Sequence, residues 1–396
     1  MDMYTGKEQL YAIIESLKNQ IIEINDYIHD NPELGNQEVK AHKLLTDILE
    51  ANGFTVEREV SGLTTAFRAE YRNGIGGPTI GLLCEYDALK DLGHGCGHNM
   101  QAAAITGAAL ALAKGIGEIP ARIIIYGTPA EETTSGKLPM AKDGVFDELD
   151  VAFMMHGSDC TTVDGTSLAV NCVDFIFEGK SAHAAIAPDQ GISALDAVLL
   201  TFNGIEYLRE HVRPDVRIHG IITDGGEAPN IVPERAAAQY YIRASNRPYL
   251  DTVVERVFNV ARGAALMTGA KLTIKEVKAY DNKINVPALN DLLLTHAQEV
   301  GAKNITPPRK FTGSTDFSCV TYRVPGAALR VAFVPQDTAS HSIEWVLASK
   351  SEEAHEAVLV AAKAIAGSCY ELARDADLLR QIKLDFAASK SAQTKQ

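Results

Sequence analysis

The feature that most constrains this chain is a series of short apolar runs in its first 160 residues: Thr79–Cys84, Arg122–Tyr126 and Val151–Met155, each closed by polar or Gly/Pro residues. A strand apolar at nearly every position cannot leave one face in water, so it must be covered on both sides. Between the first two runs lies Met100–Lys114, Ala-rich and of helical length. Upstream, Glu8–Asn31 and Val39–Asn52 carry apolar residues at helical spacing, the second ending at Gly53, a suitable helix cap. Strands alternating with helices predict an α/β domain: a mostly parallel sheet with helices on both faces.

Around residue 173 the pattern changes. Val173–Gly179 reads as a half-exposed strand, Gly191–Val212 as a helix, and Val216–Thr223 and Ala236–Ala244 as strands. Pro248–Thr268 reads as a second helix and Lys271–Val277 as a last strand. The β-α-β-β-α-β order predicts a ferredoxin-like α+β unit. After Asn282 the first pattern resumes, with helix Leu289–Val300, strand Ala328–Val334 and a long helix from Ser351, before a polar tail, Ser389–Gln396, expected to be disordered. The expected organisation is one α/β domain over 1–172 and 283–396, interrupted by a smaller domain over 173–282. A length of 396 residues suits two domains.

Charge narrows the function. Lys plus Arg number 37 against 51 for Asp plus Glu, a formal net charge of −14. A surface this acidic argues against nucleic acid and anionic membranes as partners, while leaving room for a small anionic substrate. The start, Met1-Asp2-Met3-Tyr4, shows no basic region followed by an apolar one, so no secretory signal is expected. The Ala102–Ala113 stretch is too short to span a bilayer. Cysteines at 84, 96, 160, 172, 319 and 369 lack framework spacing, which predicts reduced thiols and a cytoplasmic location.

In open α/β sheets, ligands bind at the carboxyl ends of parallel strands. Thr79–Cys84 runs into Glu85, Asp87, His94, Cys96 and His98; Arg122–Tyr126 runs into Glu131-Glu132; Val151–Met155 ends on His156; Ala328–Val334 leads to His341. Thiolate and imidazole both bind zinc-like ions. Alone, Cys96-Gly97-His98 is more often a buried cysteine beside a core histidine. A Cys nucleophile with a His base is the rival, but a His two residues on is poorly placed to bond that thiol. A helix N-terminus following the motif would favour the thiolate. Two adjacent glutamates are usually a solvated turn. After an apolar strand they gain meaning, because successive residues of extended chain point opposite ways: one carboxylate can bind metal while the other serves the attacking water. His156 and His341 are weak signals singly. Together, Cys96, His98, Glu132, His156 and His341 make five ligands, enough for two ions with one ligand shared.

The motifs Gly-Cys-Gly-His-Asn, Thr-Pro-Ala-Glu-Glu, Gly-Lys-Ser-Ala-His-Ala-Ala, Pro-Asn-Ile-Val-Pro-Glu-Arg-Ala and Gly-Ser-Thr-Asp-Phe-Ser occur in that order. In these the chain resembles the metallopeptidase family of aminoacylases, hippurate and auxin-conjugate hydrolases and carboxypeptidase-like enzymes. The cysteine marks the amidohydrolase branch, and Asn99 and Gly-Ser-Thr-Asp are similar to its aminobenzoyl-glutamate hydrolase and Xaa-Arg dipeptidase-like members. The resemblance implies metal ligation by Cys96, His98, Glu132, His156 and His341, with Glu131 as general base. It implies that His183, in the inserted lid, stabilises the oxyanion, often across a dimer, and that Asn230 binds substrate. It also implies a homodimer made through the lid. Asp87 is carried over as a residue orienting the ligands; Glu85, where many members carry His or Asp, is left open, and Asn99 replaces the branch's usual Asp. Arg243 and Arg330 are candidate carboxylate clamps, since guanidinium binds carboxylate bidentately.

The expected activity is hydrolysis of the amide bond in a small N-acyl amino acid or dipeptide-like substrate, with two divalent ions per chain. Thiolate plus imidazole suits zinc; manganese, cobalt and nickel also support this chemistry in the family. The rival is a degenerate member that binds such a molecule, or a protein partner, without cutting it.

Overall fold

The computed structural model describes residues 6–163, 165–308 and 313–393. In chain order the elements are α1 (Lys7–Ser16), α2 (Lys18–Asp30), α3 (Val39–Ala51), β1 (Thr55–Arg58), β2 (Phe67–Asn73), β3 (Thr79–Cys84), α4 (His98–Gly115), β4 (Ala121–Gly127), α5 (Lys137–Lys142), β5 (Val151–Ser158) and β6 (Thr162–Val163). There follow β7 (Ala169–Glu178), α6 (Ala194–Arg209), β8 (Arg217–Asp224), β9 (Arg235–Ala244), α7 (Arg247–Thr268) and β10 (Lys271–Tyr280). The last are α8 (Pro287–Glu299), α9 (Ser318–Thr321), β11 (Gly326–Ala332), α10 (Ile343–Ala348), α11 (Glu352–Arg374) and α12 (Ala376–Gln393). The described residues form two compact units, one from those within 1–165, 283–311 and 316–391 and the other from those within 166–282, 312–315 and 392–396.

The first unit holds a seven-stranded sheet in the order β1-β2-β4-β3-β5-β11-β6. Its four central strands, β4, β3, β5 and β11, run parallel, and antiparallel pairings lie only toward the edges. Alternate side chains serve opposite faces. Ile80, Leu82, Ile123, Ile125, Phe153 and Leu329 share one buried cluster with α4 and α11. Each such side chain contributes about 1.5–3 kcal/mol by leaving water. α4 is buried almost all round, which its run of alanines permits by keeping the helix thin. On the other face Tyr126 packs edge-on against Phe146, and a Cβ at Gly81 would meet Leu149 at 2.4 Å. The apolar runs are strands covered on both sides.

The second unit is a four-stranded antiparallel sheet, β10-β7-β9-β8, with α6 and α7 packed on it: the ferredoxin-like arrangement. Its first strand starts at Ala169 rather than Val173, because Ala169–Cys172 continue the ladder with β9.

Local differences from the sequence reading have local causes. The first helix breaks at Leu17, whose φ/ψ of −92°/2° is non-helical, and the terminal one breaks at Asp375, which is extended. The tail expected to be disordered is helical to Gln393; Lys390 holds it by donating to the Tyr322 carbonyl at 2.6 Å and lying over the Phe386 ring. Residues 394–396 lie outside the described residues. Among the described residues no helix is long and apolar enough to cross a membrane.

Candidate active site

The carboxyl ends of the central strands bring the predicted ligands together. β3 runs out into Glu85 and Asp87, β4 into the loop bearing Glu131 and Glu132, β5 carries His156, and the chain beyond β11 reaches His341. Cys96 precedes Gly97, the left-handed cap of α4, and His98 is that helix's first residue.

The backbone is bent to achieve this. Ala130 has φ 61° and His341 φ 63°, a region that costs a non-glycine residue about 1–3 kcal/mol and persists only when neighbours enforce it. The His341 N–H donates to the Gly95 carbonyl at 2.9 Å, tying it to the Cys96 loop. The Ala130 N–H donates to the buried Glu38 carboxylate at 2.8 Å. Glu131 and Glu132 therefore lie in a turn, not in the extended chain expected. Left-handed Ala130 reverses the chain ahead of them, and both carboxylates reach His98.

Three overlapping sets have donor atoms within 4.8 Å of one another: Cys96, His98 and His156; Cys96, Glu132 and His341; and His98, Glu131 and Glu132. Cys96 Sγ is 3.2 Å from His156 Nε2, and Glu132 Oε1 is 3.5 Å from His341 Nε2. Asp87 braces the cluster: its Oδ1 is 3.0 Å from His98 Nδ1 and its Oδ2 accepts the Glu132 N–H at 3.0 Å. That leaves His98 Nε2 as the ring corner available to a cation. The His156 ring is held by Nδ1 donating to the Gly157 carbonyl at 2.7 Å, turning Nε2 toward Cys96.

The residues fit a divalent cation. His98 Nε2 and Glu132 Oε1 are buried and lack a well-formed hydrogen bond, though Glu85 Oε2 lies 3.2 Å from the first and His341 Nε2 3.5 Å from the second, an arrangement that a bound cation would stabilise. The donor set of one thiol, three imidazoles and a carboxylate suits such an ion. Burial pushes the Cys96 thiol up to about 12, so the helix N-terminus does not by itself make the thiolate; ionisation needs a cation. Burial and the Arg330 guanidinium lower His156 to about 4, keeping it a neutral ligand. Burial raises Glu132, but the adjoining His341 and His98 imidazoles outweigh it and hold it at about 2. Burial and the acids Asp316, Glu85 and Glu132 raise Glu131 well above the carboxylate range. Two neighbouring glutamates thus have opposite proton affinities, the separation expected of a ligand and a proton carrier.

Other candidates fall elsewhere. His94 belongs to none of the ligand sets; burial drops it to about 3 and it stacks on His29. Asn99 donates to Asn25 and to the Ser349 carbonyl, joining α4 to α2 and the end of α10. His183, Asn230 and Arg243 lie in the second unit. His183 bridges to Ile231, beside Asn230, and its Nδ1 accepts the Ala185 N–H at 3.3 Å, leaving Nε2 as the protonated nitrogen. Arg243 Nη1 donates to Ser314 Oγ at 2.9 Å.

Sequence reasoning missed Lys137. It has no exposed surface and pairs with Glu85 at 2.5 Å and Asp316 at 2.9 Å. This answers for Glu85, which is bonded by lysine and by Gln101. Nothing in a lysine five residues beyond Glu132 announces burial; Asp316, inside the Gly-Ser-Thr-Asp motif, was the available hint.

Residues 77–365 match peptidase family M20/M25/M40. The chain is 34% identical to the Xaa-Arg dipeptidase of Mus musculus, over 90% of this chain and 86% of that protein. It is 30% identical to a subunit of the p-aminobenzoyl-glutamate hydrolase of Escherichia coli K12, over 93% of this chain and 92% of that subunit. The chain belongs to the M20/M25/M40 peptidase family. It is a metal-dependent hydrolase of peptide or amide bonds, as the sequence motifs implied. The fold agrees with a Bacillus subtilis structure titled a dinuclear metal binding peptidase of the M20 family, at TM-score 0.70 and 20% identity, covering 91% of this chain and 99% of that one.

Proposed function

We propose that this chain hydrolyses the amide bond of a small dipeptide-like or N-acyl amino acid substrate, using two divalent ions, zinc or manganese, that Cys96, His98, Glu132, His156 and His341 would hold. The observation that carries this is the pair of ligand sets meeting at Cys96, one completed by His98 and His156 and the other by Glu132 and His341, with Glu131 beside both. When bound, the ions would polarise the scissile carbonyl and acidify the attacking water. Glu131 takes the proton of that water and returns it to the departing amine, a task suited to a carboxylate of raised proton affinity. Asp87 fixes the His98 ring and the Glu132 main chain. His183 Nε2–H is the donor for the developing oxyanion, and Arg243 and Asn230 bind the substrate's polar end.

The protein is read as a homodimer joined through the second unit. Strand β8 ends that unit's sheet and exposes Ile221 and Ile222, a bare apolar edge suited to a second copy. A cytoplasmic location agrees with six cysteines that form no disulfide. Nucleic acid and membranes are not partners on this reading, in keeping with the −14 charge.

The test is a substrate panel of N-acetyl and N-benzoyl amino acids, aminobenzoyl-glutamate and β-alanyl-lysine, assayed on chelator-stripped protein with zinc or manganese restored. Amine release that depends on added metal supports the reading. No release from any substrate, or an equal rate in strong chelator, contradicts it.

A further inference from the structure

Lysine is almost never fully buried unless paired, and a buried pair needs further hydrogen bonds to hold its shape. Lys137 meets both conditions. Its ammonium donates to Glu85 Oε1 at 2.5 Å and lies 2.9 Å from Asp316 Oδ1, and neither carboxylate is more than 2% exposed. Glu85 is bonded again by Gln101 Nε2 of α4 at 2.8 Å, and Asp316 by Ser135 Oγ at 2.6 Å.

What Lys137 and Ser135 secure is the loop that carries the paired glutamates. That loop closes on itself: the Ser135 N–H donates to the Ala130 carbonyl at 2.7 Å and the Gly136 N–H to the Pro129 carbonyl at 2.8 Å. The fit is close, since a Cβ at Gly136 would lie 2.6 Å from the Pro129 oxygen. Ala130 and Ser135 both sit at φ 61°, one at each end of the Glu131–Thr134 turn. Two left-handed non-glycine residues persist only where the surroundings enforce them. At the near end the enforcement is Glu38 on the Ala130 amide; at the far end it is Asp316 on Ser135 and the lysine pair. Glu85 and Asp316 are also the foremost acidic neighbours acting on Glu131, and the Lys137 charge lies between them.

We infer that Lys137 is a positioning residue for the reaction: through Glu85, Asp316 and Ser135 it fixes the far end of the turn so that the Glu131 carboxylate stays aimed at the attacking water. This rests on the reading of Glu131 as general base.

The test compares Lys137→Ala, Ser135→Ala and Glu131→Gln in metal-loaded protein, measuring kcat, KM, bound metal and melting temperature. Misplacing a reacting group by about 1 Å costs on the order of 10²-fold, so Lys137→Ala should lose about that much kcat with KM and metal content near the parent's. Propylammonium, which fits the space the side chain leaves, should restore kcat in a saturable manner while tetramethylammonium does not. A purely structural role would not respond to the amine. Parental kcat in Lys137→Ala, or a loss that propylammonium leaves unchanged, overturns the proposal.

Should Lys137→Ala not fold, because it leaves Glu85 and Asp316 buried without their cation, Ser135→Ala decides. It removes one bond to Asp316 and strands no charge, so kcat should fall roughly three- to tenfold at unchanged KM and metal content; an unchanged kcat overturns the proposal. Parental activity in Glu131→Gln would instead sink the general-base reading. An inactive Glu131→Gln beside fully active Lys137 and Ser135 variants removes the positioning role alone.

Discussion

Asp87→Asn isolates the bracing of the ligand cluster from the ligands themselves. The Asp87 carboxylate makes two contacts of 3.0 Å, to His98 Nδ1 and to the Glu132 N–H, and both partners present hydrogens to it. An asparagine offers one acceptor oxygen and one NH2, so whichever way the amide turns, one contact becomes donor against donor. Losing one charge-assisted hydrogen bond costs about 1.5–3 kcal/mol. His98 Nδ1 keeps a second acceptor, the Asp87 main-chain carbonyl at 3.0 Å, so the ring is not released altogether. The lower figure therefore applies, about tenfold in metal affinity, at the low end of the effect of removing such an outer partner. The assay is competition with a chromogenic chelator at fixed pH, with a thermal melt of the same sample to show that the fold is kept. Metal affinity equal to the parent's in a folded Asp87→Asn protein would refute the reasoning.

Glu70 accepts from Arg68, Arg72 and Arg122 at 2.6, 2.8 and 3.0 Å, and these guanidiniums, Arg122 foremost, hold its carboxyl well below the usual range. Its stabilisation is therefore complete above the unfolded value near pH ~4.3 and is lost as pH falls through the lower folded value; Glu70→Gln should flatten the fall of the urea midpoint in that window, and parallel curves would contradict it. His183→Ala should lower kcat roughly 10²–10³-fold with little change in metal binding. If His183 acts in the partner's site, mixing His183→Ala with Glu131→Gln protein should regenerate activity by giving each mixed dimer one intact site, and heterodimers without recovery would contradict the trans reading.

The central strands were legible because burial on both faces writes itself directly into sequence: Thr79–Cys84 is the same segment in both readings. The edge strand β1 and its neighbour β2 were not, since Thr55–Arg58 and Phe67–Asn73 carry charged residues that interrupt the apolar pattern. The ligand cluster could be read as a set because strand ends of a parallel sheet share one edge, a rule of topology that needs no side-chain detail. The turn at Ala130 was hidden, for alanine gives no sign that its backbone will be left-handed; Glu38 and the tightly packed loop impose it. Lys137 was hidden for a related reason. Its burial depends on Glu85 and Asp316, residues 52 and 179 positions away in sequence, and only the fold brings them together.

The most direct test of the account measures bound metal and turnover together in Glu131→Gln and Glu132→Gln. Glu131 is read as moving a proton and Glu132 as holding a cation, though they are adjacent in sequence and both reach His98. Glu131→Gln should keep the parent's metal content and lose about 10²–10⁴-fold in kcat, the range for removing a general base. Glu132→Gln should lose metal affinity itself, with its remaining activity following the metal it still binds. Parental turnover in Glu131→Gln, or undiminished metal affinity in Glu132→Gln, would contradict the division of labour on which the account depends.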